Sequence, residues 1–288
     1  MTSDFLQRAL KRHLSSDIKV IQNSHVSGGC INTTLKVDTN EGPFFIKLNT
    51  EKEKALFEKE AMGLRLLKNQ SPVEIPKVLG SGTLEGKVYL ILEWIERGPT
   101  ADFFWDRFGQ QLAAQHRQTS THFGLDHDNH IGRLPQSNKV HAAWSDFFIN
   151  ERLMPQLKLA QKSNLVDSGL MDQFERLYTK LDDLIPHEAP ALLHGDLWSG
   201  NFLCSTEGQP CIFDPAVHFG HRETELAFTT LFGGFEKAFY VTYQDFFSLE
   251  SGFDDRIDLH NLYPLLVHVN LFGPSYLSGI RHTLKRFV

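Results

Sequence analysis

The feature that most constrains this chain is the stretch Leu192–Ala216, LLHGDLWSGNFLCSTEGQPCIFDPA. A short apolar run, Ala191 to Leu193, reads as a buried strand entering the loop His194-Gly195-Asp196-Leu197-Trp198-Ser199-Gly200-Asn201. A second apolar run follows, then a turn at Glu207-Gly208, then Cys211-Ile212-Phe213 and Asp214. Three small polar groups, Asp196, Asn201 and Asp214, are thereby held at the ends of short strands. A tight hairpin with polar turn residues accounts for Gly200, Glu207 and Gly208, but not for His, Asp, Asn and Asp at these intervals.

Phosphoryl transfer needs such a set: a carboxylate to orient the attacking hydroxyl, with an amide and a second carboxylate to hold Mg²⁺ on nucleotide phosphates. Kinase signatures place the catalytic Asp five residues before the Asn and a metal-binding Asp after the next hairpin. Here 201 − 196 = 5, and Asp214 stands at the later position. His-Gly-Asp in place of His-Arg-Asp, and Asp-Pro-Ala in place of Asp-Phe-Gly, argue for a small-molecule kinase over a protein kinase.

Upstream, the order of elements suits a nucleotide-binding lobe over residues 1–95. Residues 3 to 14 have helical spacing with Ser3 as a possible N-cap. Ile18 to His25 and Thr33 to Val37 read as strands around Ser27-Gly28-Gly29-Cys30. Adjacent glycines let a backbone approach a phosphate, although Gly28-Gly29 alone also reads as a hairpin turn. Pro43 to Leu48 is a third strand carrying Lys47, the residue type that binds α- and β-phosphates and pairs with a helix Glu. Glu51 to Lys68 is an amphipathic helix offering Glu58 and Glu60. Pro76 to Leu84 and Lys87 to Glu93 form a hairpin around Glu85-Gly86, and its exit, Glu93-Trp94-Ile95, stands where backbone groups would meet an adenine edge.

From residue 96 to 288 the pattern is mostly helical: Thr100 to Thr119 (with His116 read as a core histidine), Trp144 to Ala160, Asp167 to Leu184, Arg222 to Leu231, Phe235 to Phe247, Ile257 to Asn270 and the tail from Pro274. Asp126 to Pro135, dense in His and Asp, reads as a structured loop without a metal-ligand spacing. The fold class that results is α+β: a two-lobed, protein-kinase-like chain with an antiparallel N-terminal sheet and one main helix, then a helical C-terminal lobe.

Composition narrows the partners. A net charge of −6 argues against a nucleic-acid binder, and no long uncharged apolar run argues for a membrane span. Cys30, Cys204 and Cys211 lack metal-ligand spacing and suggest a reducing compartment; with an N-terminus lacking an apolar signal segment, the expectation is a cytoplasmic protein. Cys30, beside an electropositive phosphate loop, is a candidate redox-sensitive thiol.

The segments SGGCIN, FFIKLN, LEWI, HIGRLPQSN, WSDFFINERLMPQL, HGDLWSGN, FDPAVHFGHRE and YPLLVHVNLFG carry a resemblance to the fructosamine kinase/ketosamine-3-kinase family, within the aminoglycoside-phosphotransferase-like fold. The resemblance implies ATP-dependent phosphorylation of the 3-hydroxyl of ketoamines, as free small molecules or on glycated proteins. It implies Asp196 as catalytic acceptor, Asn201 and Asp214 on Mg²⁺, Lys47 and Glu60 as the phosphate-binding pair, Glu93 to Ile95 at the adenine, and Trp198 packed on the sugar. The segment after FDPA departs from the family's pattern at His221 and Glu225, which bears on loop bracing or substrate preference. Rival readings are a kinase of another small hydroxyl compound, such as an aminoglycoside or choline, a protein kinase, and a non-catalytic ATP-binding protein on a kinase fold.

Overall fold

The computed structural model describes residues 3–26 and 32–288. Gly28, Gly29 and Cys30, expected at the phosphate loop, lie outside the described residues. Helix α1 (Ser3–Lys11) buries Phe5, Leu6, Ala9 and Leu10, which share one face at helical spacing. It packs on a five-stranded sheet in the order β1-β2-β3-β5-β4, made of Val20–His25, Thr33–Thr39, Gly42–Thr50, Val78–Leu84 and Lys87–Glu93 as β1 to β5. Every pairing is antiparallel. The β4–β5 turn has Glu85 and Gly86 both at positive φ, the two-residue hairpin geometry that matches strand twist.

Strand alternation decides what each face of β3 meets. Ile46 and Leu48 join Leu35, Val37 and Ile91 in the core under α1. Phe45 and Lys47 point the other way, toward α2 (Lys54–Gln70), which buries Leu56, Phe57, Ala61, Leu64 and Leu67. A lysine in mid-strand thus faces the interior side, where the outward-facing fate of most strand lysines is ruled out by burial.

The remaining chain is helical with short strands inserted. In order come α3 (Phe104–His116), a hairpin of β6 (Asn129–Ile131) and β7 (Leu134–Gln136), and α4 (Trp144–Phe147). A π-helical turn, Phe148–Leu153, leads α4 into α5 (Met154–Lys162), followed by α6 (Ser168–Tyr178) and α7 (Leu181–Leu184). Then come β8 (Ala191–Leu193), β9 (Phe202–Cys204), β10 (Pro210–Ile212), β11 (His218–Gly220), α8 (Arg222–Leu231), α9 (Lys237–Phe246), α10 (Phe253–His260), α11 (Leu262–Phe272) and α12 (Leu277–Phe287). One core joins α2 to α3, α9 and the β8–β10 region, and another lies among α4 to α6 and α10 to α12. Backbone bonds tie the two halves: Ile212 N–H donates to Glu74 O, and Glu74 N–H to Pro210 O.

Three expectations are corrected. The expected loop at Asp126–Pro135 contains the β6–β7 hairpin, turned at Gly132 with φ +58. The helix expected from Thr100 begins at Phe104, because Phe103 stands at φ +59 ahead of it. The helix expected over Ile257 to Asn270 is two helices separated at Asn261, whose side chain donates to Ala227 O.

Candidate active site

The loop after β8 takes its shape from contacts with buried neighbours. Strand β8 is buried along its length and pairs with β11, Leu193 opposite His218. Gly195 has φ +84, and a Cβ there would lie 2.1 Å from Ala216 O, so no other residue fits. Burial lowers the His194 pKa. The neutral ring spans the loop: Nε2 donates to Phe213 O at 2.9 Å, and Nδ1 accepts the Asp196 N–H at 3.3 Å.

Beneath the loop lies Glu225 of α8. It accepts from His194 N–H at 3.2 Å, Gly195 N–H at 2.7 Å and His116 Nε2 at 2.9 Å. Tyr243 completes the set through His116 Nδ1 at 2.8 Å. Burial pushes the Glu225 carboxyl up, but the bond and charge of His116 and the loop N–H groups hold it below its ordinary value. His116 is thus a buried structural histidine, as its helical position suggested. His221 caps α8, accepting the Glu223 N–H, and its Nε2 donates to Pro186 O. Both His221 and Glu225 therefore brace the loop and its supporting helix.

Asp196, Asn201 and Asp214 converge. Asn201 Nδ2 donates to Asp196 O at 2.8 Å and to Asp196 Oδ2 at 3.0 Å. Burial, then the charges of Asp214 and Glu225, hold the Asp196 carboxyl well above the ordinary carboxylate range, against the pull of Asn201. Asp214 stands at φ +59 directly after β10 and Phe213, with its side chain part-exposed to the cleft. Its Oδ1 lies 2.5 Å from Lys47 Nζ, whose other partner is Glu60 Oε1 at 2.7 Å. Burial works against the Lys47 charge, but the two carboxylates outweigh it and raise its pKa, so the ammonium persists. Glu58 turns outward to Lys54, leaving Glu60 as the partner.

Two connected hollows open off these residues. One, with an empty volume of about 1160 Å³, is lined by Phe45, Lys47, Leu92, Glu93, Trp94, Ile95, Leu203, Phe213 and Asp214. Its flat apolar walls and strand-exit backbone suit a planar base. The other, about 710 Å³, is lined by Lys47, Lys59, Glu60, His130, Asp196, Trp198, Asn201 and Asp214. Lys59 and His130 were not singled out from sequence. The signals available were the helical neighbour of Glu60 and the HIGRLP segment. Trp198 stands exposed at the rim, edge-on to Phe232 at 6.0 Å, and Phe232 continues to His268 at 4.7 Å.

The donor set fits Mg²⁺. Asn201 spends its amide hydrogens on Asp196, which fixes the amide orientation and leaves Oδ1 as its ligand atom, and Asp214 adds a carboxylate; all-oxygen donors are what Mg²⁺ takes. Among the described residues one other cluster could suggest a metal: His221, Glu223 and His260. There Arg256 clasps both oxygens of Glu223, occupying the place of a cation.

Residues 2–288 match the model of a family described as fructosamine kinase. The chain is 40% identical over 271 residues to a probable ketoamine kinase of Synechocystis, covering 93% of this chain and 90% of that protein. It is 37% identical over 263 residues to the chloroplastic protein-ribulosamine 3-kinase of Arabidopsis thaliana, covering 88% of this chain and 78% of that protein. A crystal structure from Thermobifida fusca, described as that of a candidate fructosamine-3-kinase, matches with a TM-score of 0.87 at 31% identity, over 99% of this chain and 98% of that one.

Proposed function

The chain belongs to the fructosamine kinase family, and from that premise and the geometry of its cleft we propose that it transfers the γ-phosphoryl group of ATP to the 3-hydroxyl of a ketoamine. The observation that carries this reading is the convergence of Asp196, Asn201, Asp214 and the Lys47–Glu60 pair on one cleft. The substrate class is a fructosamine, ribulosamine or related glycated amine, free or on a protein, and the product is its 3-phosphate, a deglycation-repair reaction.

In this reading residues 1–95 form the nucleotide-binding lobe and 96–288 the catalytic and substrate lobe. The adenine sits against Glu93, Trp94 and Ile95. Lys47, held by Glu60, binds the phosphates, a task the sequence also assigns to Gly28 and Gly29. Asn201 and Asp214 would hold Mg²⁺, which would supply positive charge to the nucleotide phosphates. Asp196 orients the 3-hydroxyl and takes its proton as the sugar oxygen forms a bond to phosphorus and the bond to the ADP oxygen breaks. Trp198 packs against the substrate at the rim. Positioning and electrostatics supply most of the acceleration, since phosphoryl transfer asks little covalent chemistry of the protein. Among the described residues no helix is long and apolar enough to cross a membrane, which suits a cytoplasmic enzyme, although the Arabidopsis relative is chloroplastic.

The test is ATP consumption with a synthetic fructosamine, a ribulosamine and an aminoglycoside. Turnover of the ketoamines with a 3-phosphate product supports the proposal. Turnover of the aminoglycoside alone, or of none, overturns it.

A further inference from the structure

Helix α2 carries one lysine, Lys59, that bonds to no described residue. Leu56, Lys59, Glu60 and Gly63 fall at helical spacing on one stripe of α2. Gly63 fixes where that stripe points. A Cβ there would lie 3.1 Å from Val217 Cγ2 and 3.5 Å from Pro215 Cγ, so the stripe faces the segment that begins at Asp214. Leu56, Lys59 and Glu60 accordingly line the phosphate cleft with Asp196, Asn201 and Asp214. The outer charges of the helix behave differently: Lys54 and Glu58 pair with each other in solvent at 3.6 Å.

On the far wall of the cleft stands the β6–β7 hairpin, with His130 and Gly132. The hairpin is locked to the same segment. Asn129 Nδ2 donates to Val217 O at 2.8 Å, and Gln136 Nε2 to Ala216 O at 3.4 Å. Burial lowers the His130 pKa; Glu53 raises it, and the charge of Lys59 lowers it further. Lys59 is thus close enough to act on a group across the cleft. Lys47, the other ammonium on these walls, is already shared between Glu60 and Asp214. A nucleotide brings further negative charge, and in phosphoryl transfer that charge spreads over the equatorial oxygens of the moving group.

We propose that Lys59 is a second phosphate-binding cation, whose ammonium contacts the γ-phosphoryl group as it passes from ADP to the sugar oxygen. The inference rests on the kinase reading above. Lys59 keeps its proton throughout. The bond from phosphorus to the ADP oxygen breaks, the bond to the sugar oxygen forms, and the hydroxyl proton goes to Asp196. Lys59 adds charge alone, and a cation already in place needs no reorganisation when the charge on the phosphoryl oxygens shifts. Because Lys59 and Glu60 are adjacent on α2, the placement that pairs Glu60 with Lys47 also delivers Lys59 to the cleft.

The experiment compares the wild type with Lys59→Met and Lys59→Arg, using the synthetic fructosamine or ribulosamine that the wild type turns over. Two quantities are read: kcat, and the affinity for ADP with and without fluoroaluminate, which mimics the phosphoryl group in transit. Lys59→Met should lower kcat by roughly 10²- to 10³-fold, the usual loss for one donor aimed at a developing oxyanion, with KM little changed. It should lose affinity for ADP–fluoroaluminate by a similar factor, while ADP alone binds as in the wild type. Lys59→Arg keeps the charge and should recover most of both losses. Thermal unfolding checks the fold; methionine is as good a helix former as lysine, and should Lys59→Met fail to fold, Lys59→Gln makes the same comparison. Wild-type kcat in Lys59→Met, equal losses for ADP and ADP–fluoroaluminate, or a Lys59→Arg no better than Lys59→Met would each overturn the inference and leave the kinase reading standing. A wild type that turns over neither ketoamine overturns both.

Discussion

Asp196 and Asp214 are the same residue type in one cleft, and their surroundings separate them. Asp196 is held by Asn201 and pushed up by burial and neighbouring carboxylates, as suits a group that receives a proton; Asp214 sits against the Lys47 ammonium, as suits one that holds a cation. Asp196→Asn should lower kcat by roughly 10²- to 10⁴-fold, the usual range for a lost general base, while Mg·ATP binding, followed by calorimetric titration, stays near wild type. Retained turnover would remove Asp196 from its role. These residues were legible because chemistry fixes their spacing along one stretch of chain. Glu60 over Glu58 was legible only through resemblance, since helical phase alone left both open; the 2.7 Å contact with Lys47 selects Glu60.

At the scale of elements, α8 is the support on which the catalytic loop rests. Its first turns hold His221 as cap, Glu223 clasped by Arg256 and His260, and Glu225 under the loop. Sequence reading placed α8 at its observed limits and, through resemblance, linked Glu225 to loop bracing or substrate preference, but the helix pattern itself did not show that Glu225 is buried. A glutamate is ordinarily a surface residue, and its burial follows from donors on His116 and two loop amides far away in sequence. The β6–β7 hairpin was missed for a related reason. Its polar residues Asn129 and Gln136 are buried, bonding Val217 O and each other, so no alternation of apolar residues marks it. Glu225→Gln keeps the shape but sets an NH₂ group against one of three N–H donors. It should lower kcat about 10- to 100-fold by misplacing Asp196, with ATP affinity nearly unchanged. In an Asp196→Asn background the same change should have little further effect, since the two act through one group. Additive losses across that double-mutant cycle would refute positioning and leave a purely structural role.

At the scale of the whole molecule, the packing that joins sheet, catalytic loop and helices encloses several histidines in neutral form. Burial lowers the pKa values of His194, His218 and His221, the last to about 4, with a further push from the charge of nearby His260. A free histidine titrates near 6.5, so the unfolded chain takes up these protons at higher pH than the folded one. Stability is then greatest above about 6.5 and falls as pH drops toward each lowered value. For His221 that fall amounts to roughly 3 kcal/mol between pH 6.5 and 4. Below the ordinary glutamate range Glu223, held down to about 2 by Arg256 and His260 against its burial, adds a further loss. Two-lobed architecture was readable from sequence as a succession of strands and then helices. This acid sensitivity was not, because it depends on which histidines the assembled core covers. His221→Asn tests it cleanly: asparagine is a good N-cap and can serve the Glu223 N–H, but carries no titrating ring. Unfolding by urea at intervals from pH 7 to 4 should show a shallower decline in the variant, by up to about 1.4 kcal/mol per pH unit across the interval where His221 would be charged only in the unfolded chain. Above pH 7 the two proteins should differ by a constant. Parallel curves over the whole range would mean that the His221 ring is free to take up its proton in the folded molecule.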